Sequence, residues 1–320
     1  MPPSRWTLPV ALWLLWQCSP ETVRAQLDEP VTVFKSEVGL VEVYATVYDH
    51  RGQHVRGLTR ERFEVRDEGE HRPIAAFETE SSFLTCALVL DTSGSMHKAL
   101  PVVKRAVLLL IDELREGDSV GIYGMSSTVR NLQGFTTDKN AAKRAVLRTR
   151  PAGRTALFDA ISFVTRALSE RAGKKALVVF TDGQDNASVL NPAAAMNRAK
   201  KAGIPVYTVA HGEALESRDL VARLKDLSQM TGGIAYAMRS SKQAAKIFQA
   251  ISLDVQHMYM LAYRAPQPTE RRWRKIEISV KNLKTGRIRA KLGYFPSPLE
   301  SSGEDTPLFR VIRRVVYSHN

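Results

Sequence analysis

The sequence predicts an α/β protein: a doubly wound, mostly parallel sheet flanked by a smaller all-β module formed from N- and C-terminal segments. Three observations carry the prediction. Between residues 83 and 262, all-apolar runs such as 84–90 and 176–180 alternate with amphipathic stretches of helical length. Such runs fit strands buried on both faces, and the alternation fits parallel strands joined by crossover helices. Upstream, Val41, Val43, Ala45 and Val47 alternate with Glu42, Tyr44, Thr46 and Tyr48, the period of a half-buried strand. Finally, β-type segments return after residue 258, and neither terminal piece alone is long enough to bury a satisfactory core.

Taken in order, residues 1–25 read as an address. Arg5 precedes an apolar run over 6–16, and Val23-Arg24-Ala25 supplies a small-residue cleavage site, the pattern of a secretory signal peptide. The run is shorter than the roughly 20 residues that cross a bilayer, and no later stretch supplies an integral membrane span. Gln17 stands before Cys18 where a lipoprotein signal needs a small residue. The expected location is secreted or periplasmic. Cleavage would leave Cys86 as the lone cysteine, inside an apolar run where a buried, inert thiol is expected.

Residues 27–82 form the N-terminal β segment, with strands at 31–34, 41–48, 63–65 and 74–77 and a turn at Asp49-His50-Arg51-Gly52. Residues 83–257 form the α/β domain. Strands are predicted at 84–90, 119–125, 128–135, 176–180, 204–210 and 234–236. Helices are predicted at 98–115, 139–147, 156–170, 192–202, 217–230 and 242–257. In the first helix, Val102, Val103, Ala106, Leu109, Leu110 and Leu114 make the apolar side. Residues 258–296 form the C-terminal β segment, with strands at 259–263, 275–280 and 287–294. It is expected to pack with the N-terminal segment as one sandwich-like module, because a domain inserts readily where its own ends lie close. Residues 297–320 read as a flexible tail.

The chain carries 46 Lys and Arg against 33 Asp and Glu, a formal charge of +13, with 44% apolar and 25% charged residues. That composition is globular and excludes disordered, collagen-like and polytopic membrane proteins. The charge admits nucleic acid, anionic membrane or acidic protein as partners and selects none of them. Its densest stretch, 264–291, reads as the solvated face of a β-hairpin. An exported chain meets little nucleic acid, so no nucleic-acid partner is expected.

The chemistry-bearing residues fall where α/β sheets bind ligands, beyond the carboxyl ends of strands. One apolar strand runs into Asp91-Thr92-Ser93-Gly94-Ser95, the other into Thr181-Asp182-Gly183, and Pro151-Ala152-Gly153-Arg154-Thr155 precedes a helix between them. Asp91, Ser93, Ser95, Thr155 and Asp182 offer two carboxylates and three hydroxyls, with no His or Cys at these points. An oxygen-only set suits Mg²⁺, Mn²⁺ or Ca²⁺ rather than zinc. Arg154 and Asp185 lie beside them as candidate ligand contacts, with Asn186 next to Asp185.

This set, in this order and on these elements, resembles the metal-ion-dependent adhesion site (MIDAS) of von Willebrand factor type A (VWA) domains, a Rossmann-like α/β fold. The resemblance covers about 83–257 and looks closest to the secreted VWA-related proteins of acidobacteria. It implies that Ser93, Ser95 and Thr155 touch the metal and that Asp91 and Asp182 hold it partly through water. A carboxylate from an acidic protein ligand would then complete the coordination, as adhesion or envelope assembly without catalysis. Arg154 departs from the small residue often found there. Two alternatives stand beside this reading: a metal-dependent hydrolase using Asp91 or Asp182, and a structural scaffold with a vestigial metal site. The hydrolase lacks a second acid two positions after Asp91, where Ser93 stands, and has no His or Lys at an obvious spacing. The oligomeric state is left open.

Overall fold

The computed structural model describes residues 40–266, 272–283 and 285–296. The expected signal peptide, the strand at 31–34 and the tail over 297–320 lie outside these residues. So do Arg271 and Lys284 of the basic stretch.

The large sheet has six strands: β5 (Leu84–Asp91), β6 (Ser119–Met125), β7 (Val129–Thr136), β8 (Lys174–Thr181), β9 (Val206–His211) and β10 (Ala235–Met238). Their order is β10-β9-β8-β5-β6-β7. All neighbours are parallel except β7, which returns antiparallel along β6 through a short turn. β8 is buried at every position, as a central parallel strand must be when helices cover both of its faces. One face carries α1 (Leu100–Glu113), α2 (Lys139–Arg148) and α6 (Ala244–Gln256), whose Val107, Leu110, Val146 and Phe248 pack on Leu88, Leu90 and Phe180. The rings of Phe180 and Phe248 stack in parallel at 4.8 Å. The other face carries α3 (Leu157–Ser169), α4 (Pro192–Ala202) and α5 (Arg218–Thr231) on Val89, Leu177 and Val179. Helix ends follow local chemistry. Asp138 accepts from Asn140 and Ala141 N–H at the start of α2, and Asn191 from Ala194 N–H at the start of α4. Gly203 and Gly232 end α4 and α5 in the left-handed region.

The terminal segments form two four-stranded antiparallel sheets. One has the order β13-β1-β11-β4, built from β13 (Gly286–Ala290), β1 (Leu40–Asp49), β11 (Tyr259–Arg264) and β4 (Ile74–Glu78). The other has the order β14-β12-β2-β3, built from β14 (Gly293–Tyr294), β12 (Arg274–Val280), β2 (Phe63–Asp67) and β3 (Glu70–Arg72). Val43, Val47, Tyr259 and Leu261 of the first face Phe63, Val65, Ile276 and Val280 of the second in one apolar core. Strands from both ends of the chain pair in each sheet, alternating in the first and meeting at β12 and β2 in the second, which is the predicted fold class.

Three local expectations are corrected. β1 is not half-buried, because its second face lies against the α/β domain. Tyr44 joins the α/β core, and Glu42 meets Lys175 at 2.9 Å. The single strand expected over 287–294 is two strands in different sheets. The basic stretch is not simply a solvated face. Arg274 bonds the fully buried Asp67 at 2.8 Å, Lys291 is buried, and Arg289 reaches across to α6.

That last contact ties the two parts together. Asp254 on α6 is buried and accepts from Arg289 and from the hydroxyls of Tyr48 and Tyr207, with His54 3.4 Å away. Arg289 also donates to Gly232 O at 2.9 Å and Thr46 Oγ1 at 3.0 Å. Burial alone would push the Asp254 carboxyl up, but His54, Arg289 and the tyrosines together hold it below the ordinary carboxylate range. Replacing Arg289 by Met leaves a buried carboxylate without its cation and should cost about 3–5 kcal/mol, read as a fall in the urea midpoint. Asp254→Asn in the same chain should recover part of the loss. An unchanged midpoint for Arg289→Met would show that the pair contributes nothing.

Burial also lowers the ammonium groups of Lys174 and Lys291 to about 8. Between that value and the ordinary one near 10 the folded chain binds fewer protons than the unfolded chain, so these lysines make stability rise with pH across the interval. Lys291→Met should flatten the rise of unfolding free energy between about pH 8 and 9 relative to the parent. Cys86, whose thiol burial pushes up, works in the opposite sense but is common to both chains. Equal slopes would refute the assignment.

Candidate functional site

β5 and β8 run side by side in parallel, with Leu90 opposite Phe180. The next step along each chain therefore places Asp91 and Thr181 together at the carboxyl edge, with Asp182 immediately beyond. Thr181 donates its hydroxyl to Asp91 Oδ2 at 2.9 Å, and Ser93 N–H donates to Asp91 Oδ1 at 2.8 Å. Both carboxylate oxygens are thus oriented by the ends of the strands themselves. Asp91 is fully buried, and Ser93 and Thr155 are nearly so.

The loop after β5 curls so that its alternate residues converge. Ser93 Oγ and Ser95 Oγ are 3.0 Å apart, and Ser95 donates to Asp182 Oδ1 at 2.8 Å. With its proton on Asp182, Ser95 accepts from Ser93. The loop before α3 is laced to this curl: Gly94 N–H donates to Gly153 O at 2.9 Å and Ala152 N–H to Thr92 O at 2.8 Å. Gly153 adopts φ +80°, and a Cβ there would lie 2.7 Å from Ser127 Oγ, so glycine is required on both counts. Thr155 is fixed through its backbone. Its N–H donates to Asn186 Oδ1 at 2.8 Å, and its carbonyl accepts from Asn186 and Ala187 N–H at 3.0 Å each. A Cβ on Gly183 would stand 3.6 Å from Thr155 Oγ1 and 3.7 Å from Ser95 Oγ. The two hydroxyls therefore flank a small cradle that any side chain at 183 would fill.

Burial pushes the Asp91 carboxyl above the ordinary range, opposed by hydrogen bonds from Ser93 and Thr181 and reinforced by the charge of Asp182. Burial likewise raises Asp182, opposed by Ser95 and His211 and reinforced by Glu213. Neither carboxylate has an ion-pair partner among the described residues. All five predicted oxygen donors, Asp91, Ser93, Ser95, Thr155 and Asp182, are held at one edge of the sheet. They fit a hard divalent cation: two carboxylates to balance its charge, three hydroxyls as neutral ligands, and a cradle left open by Gly183. No cluster of three or more His, Cys, Asp and Glu that could hold a metal ion exists among the described residues.

The two flanking candidates are engaged in holding loops. Asp185 accepts from Phe158 N–H at 2.9 Å and Ser188 N–H at 3.0 Å, which anchors the loop after β8 to the start of α3. Arg154 is exposed, and its guanidinium donates to Asn186 O rather than lying over the carboxylates. Asn186, next to Asp185, clamps Thr155. Thr181 is the residue that motif reading passes over. Its signal is positional: in two parallel strands the residue opposite a terminal Asp can supply that Asp with a donor.

Comparison with known proteins agrees with this architecture. The sequence model of the von Willebrand factor type A domain matches residues 86–250. A UPF0353 protein of Mycolicibacterium paratuberculosis is 25% identical over 198 residues, which covers 52% of this chain and 59% of that protein. A UPF0353 protein of Mycobacterium avium is 27% identical over 199 residues with the same two coverages. The chain thus spans about three fifths of the length of the curated relatives it matches. Among solved structures, a von Willebrand factor type A protein from Catenulispora acidiphila is 14% identical with a TM-score of 0.46, over 82% of this chain and 76% of that one. The BatB protein of Bacteroides thetaiotaomicron is 22% identical with a TM-score of 0.45, over 53% of this chain and 97% of that one. With its matched span covering just over half of its length, the chain belongs to the von Willebrand factor type A domain family.

Proposed function

We propose that the chain is an exported binding module that holds Mg²⁺, or Mn²⁺ or Ca²⁺, on Asp91, Ser93, Ser95, Thr155 and Asp182 and captures an acidic group of a protein ligand there. Family membership supports a protein-interaction or adhesion-type module, used for adhesion or for envelope assembly. The observation that carries the metal reading is the pair of buried carboxylates, raised by burial and without an ion-pair partner among the described residues, beside three hydroxyls. Export rests on the signal-like pattern of residues 1–25.

The residues divide the work. Asp91 and Asp182 balance the charge of a cation, and Ser93, Ser95 and Thr155 offer neutral oxygens. Thr181 and the backbone of Ser93 keep Asp91 aimed, while Asn186 keeps Thr155 in place. A bound divalent cation supplies an electrophilic point at which a partner's carboxylate can bind. Nothing in this scheme consumes a substrate, so binding and release are the expected cycle.

Mg²⁺ at a hundredfold excess over its dissociation constant should stabilise the folded chain by about 2.7 kcal/mol, a rise of several degrees in melting temperature. Asp91→Ala and Asp182→Ala should abolish the rise. A pull-down from envelope extract in Mg²⁺ should release its protein partner with chelator, and Asp91→Ala should fail to capture it. Capture that survives both chelator and Asp91→Ala would make the site structural. Phosphatase or nuclease turnover lost on the same substitution would move the chain to the hydrolase reading.

A further inference from the structure

A groove of about 530 Å³ lies on the face of the large sheet between β7, α2 and the loop that follows α2. Arg130 stands on β7, Arg144 and Arg148 on α2, and Arg150 on the loop, and no Asp or Glu lines it. All four arginines are exposed. Arg144 has a long ion pair with Asp138 at 3.7 Å, and among the described residues Arg130, Arg148 and Arg150 have no carboxylate partner. Leu132, Ala141 and Ala145 add apolar lining, and Gln133 and Thr149 polar lining.

This positive set is held in place from below by another cation. Lys104 of α1 donates to Leu147 O at 2.9 Å and Thr149 O at 2.6 Å, which ties down the end of α2 and the start of the loop. Burial, with the charge of Arg150 added, lowers the Lys104 ammonium from its usual range. The groove therefore concentrates positive charge that the protein leaves uncompensated, and a bound anion would relieve it. Arginine also favours a planar, bidentate acceptor such as a carboxylate.

The groove's lining reaches the loop that carries part of the candidate site. Its lining ends at Ala152, whose N–H is bonded to Thr92 O, and the next residues are Gly153, Arg154 and Thr155. An extended peptide advances roughly 3.3 Å per residue, so a segment with one acidic residue at the site can run further acidic residues along the groove.

We propose that this groove binds a run of Asp or Glu residues adjacent in sequence to the one that reaches the site, so that the protein ligand is an extended acidic segment rather than a single carboxylate. The orientation rests on the metal reading above; the groove's preference for carboxylates does not. Each exposed arginine contributes modestly, and the gain comes from several acting on one chain and from faster encounter at low salt.

The test uses a fluorescein-labelled octaglutamate peptide and the full chain, followed by fluorescence anisotropy with Mg²⁺ and with chelator. Arg130→Glu combined with Arg148→Glu reverses one charge on each wall, and Arg239→Glu, at the opposite edge of the sheet, is the control. The double variant should bind about tenfold or more weakly, equivalent to about 1.4 kcal/mol, with the control and the thermal unfolding curves unchanged. Affinity within about twofold of the parent would overturn the groove, and if chelator still abolished binding the metal reading would stand alone. If chelator left the parent's affinity intact while the double variant lost it, the groove would stand and the metal reading would fall. Tighter capture of a heparin oligosaccharide or of polyphosphate than of octaglutamate would overturn the assignment to an acidic peptide.

Discussion

Everything at the candidate site depends on one constraint: β5 and β8 are adjacent, parallel and buried on both faces. Past their entry residues, Thr85 in β5 and Lys174 and Lys175 in β8, both strands are apolar until their last residue, so the next polar side chain falls where each leaves the sheet. Two such strands in matched register release their polar residues at the same edge. Asp91 and Asp182 are therefore neighbours because Leu88, Leu90, Val178 and Phe180 are core. The cost of placing two carboxylates there is desolvation of both, with the charge of Asp182 added at Asp91 and that of Glu213 at Asp182. Local donors offset part of it, and the remainder is what a divalent cation would remove.

The second organising contact is Asp254 with Arg289. It joins the last helix of the α/β domain to a strand of the β module, and tyrosines from both parts share the carboxylate. A buried ion pair is weak evidence for net stability, because desolvation offsets much of the attraction. Its value here is positional. An apolar contact between α6 and β13 would tolerate sliding, whereas a carboxylate with several directional donors has one arrangement in which all are satisfied. The β module is thereby registered on the α/β domain instead of trailing from it.

Much of this architecture was legible in the sequence, and the misses share a cause. Apolar runs and helical periodicity located the six strands and six helices of the large domain, since the runs come from burial of strands on both faces and the periodicity from burial of one face of each helix. β1 misled because its polar residues are covered too: Tyr44 and Tyr48 are buried and Glu42 is half-buried, with the distant partners Gly173, Asp254 and Lys175 respectively. The basic stretch misled for the same reason: a solvated Arg and an Arg paired with Asp67 or Asp254 look identical in one dimension. At the site, the residue types and spacing picked out side chains that the fold brings to one edge of the sheet, but not what holds their loops. Asp185 and Asn186 carry the chemistry of ligand residues, and only coordinates reveal that their oxygens face backbone N–H groups.

The net charge shows how position outweighs count. Arg274, Arg289, Lys174, Lys175 and Lys291 are spent inside the protein, where carboxylates, carbonyls or apolar walls screen them from solvent. They add little to the field a partner meets. The field near the site comes instead from opposed sources: the carboxylates of Asp91 and Asp182, which repel an acidic ligand, and the arginines of the neighbouring groove, which attract it. Under the proposed function these signs give the cation a second consequence besides coordination. Without it, an acidic segment drawn to the groove meets negative charge at the sheet edge. With it, the edge becomes neutral or positive and the whole path is favourable. Attraction would then belong to the arginines and permission to the metal, with the loop from Thr149 to Thr155 as the covalent link between the two.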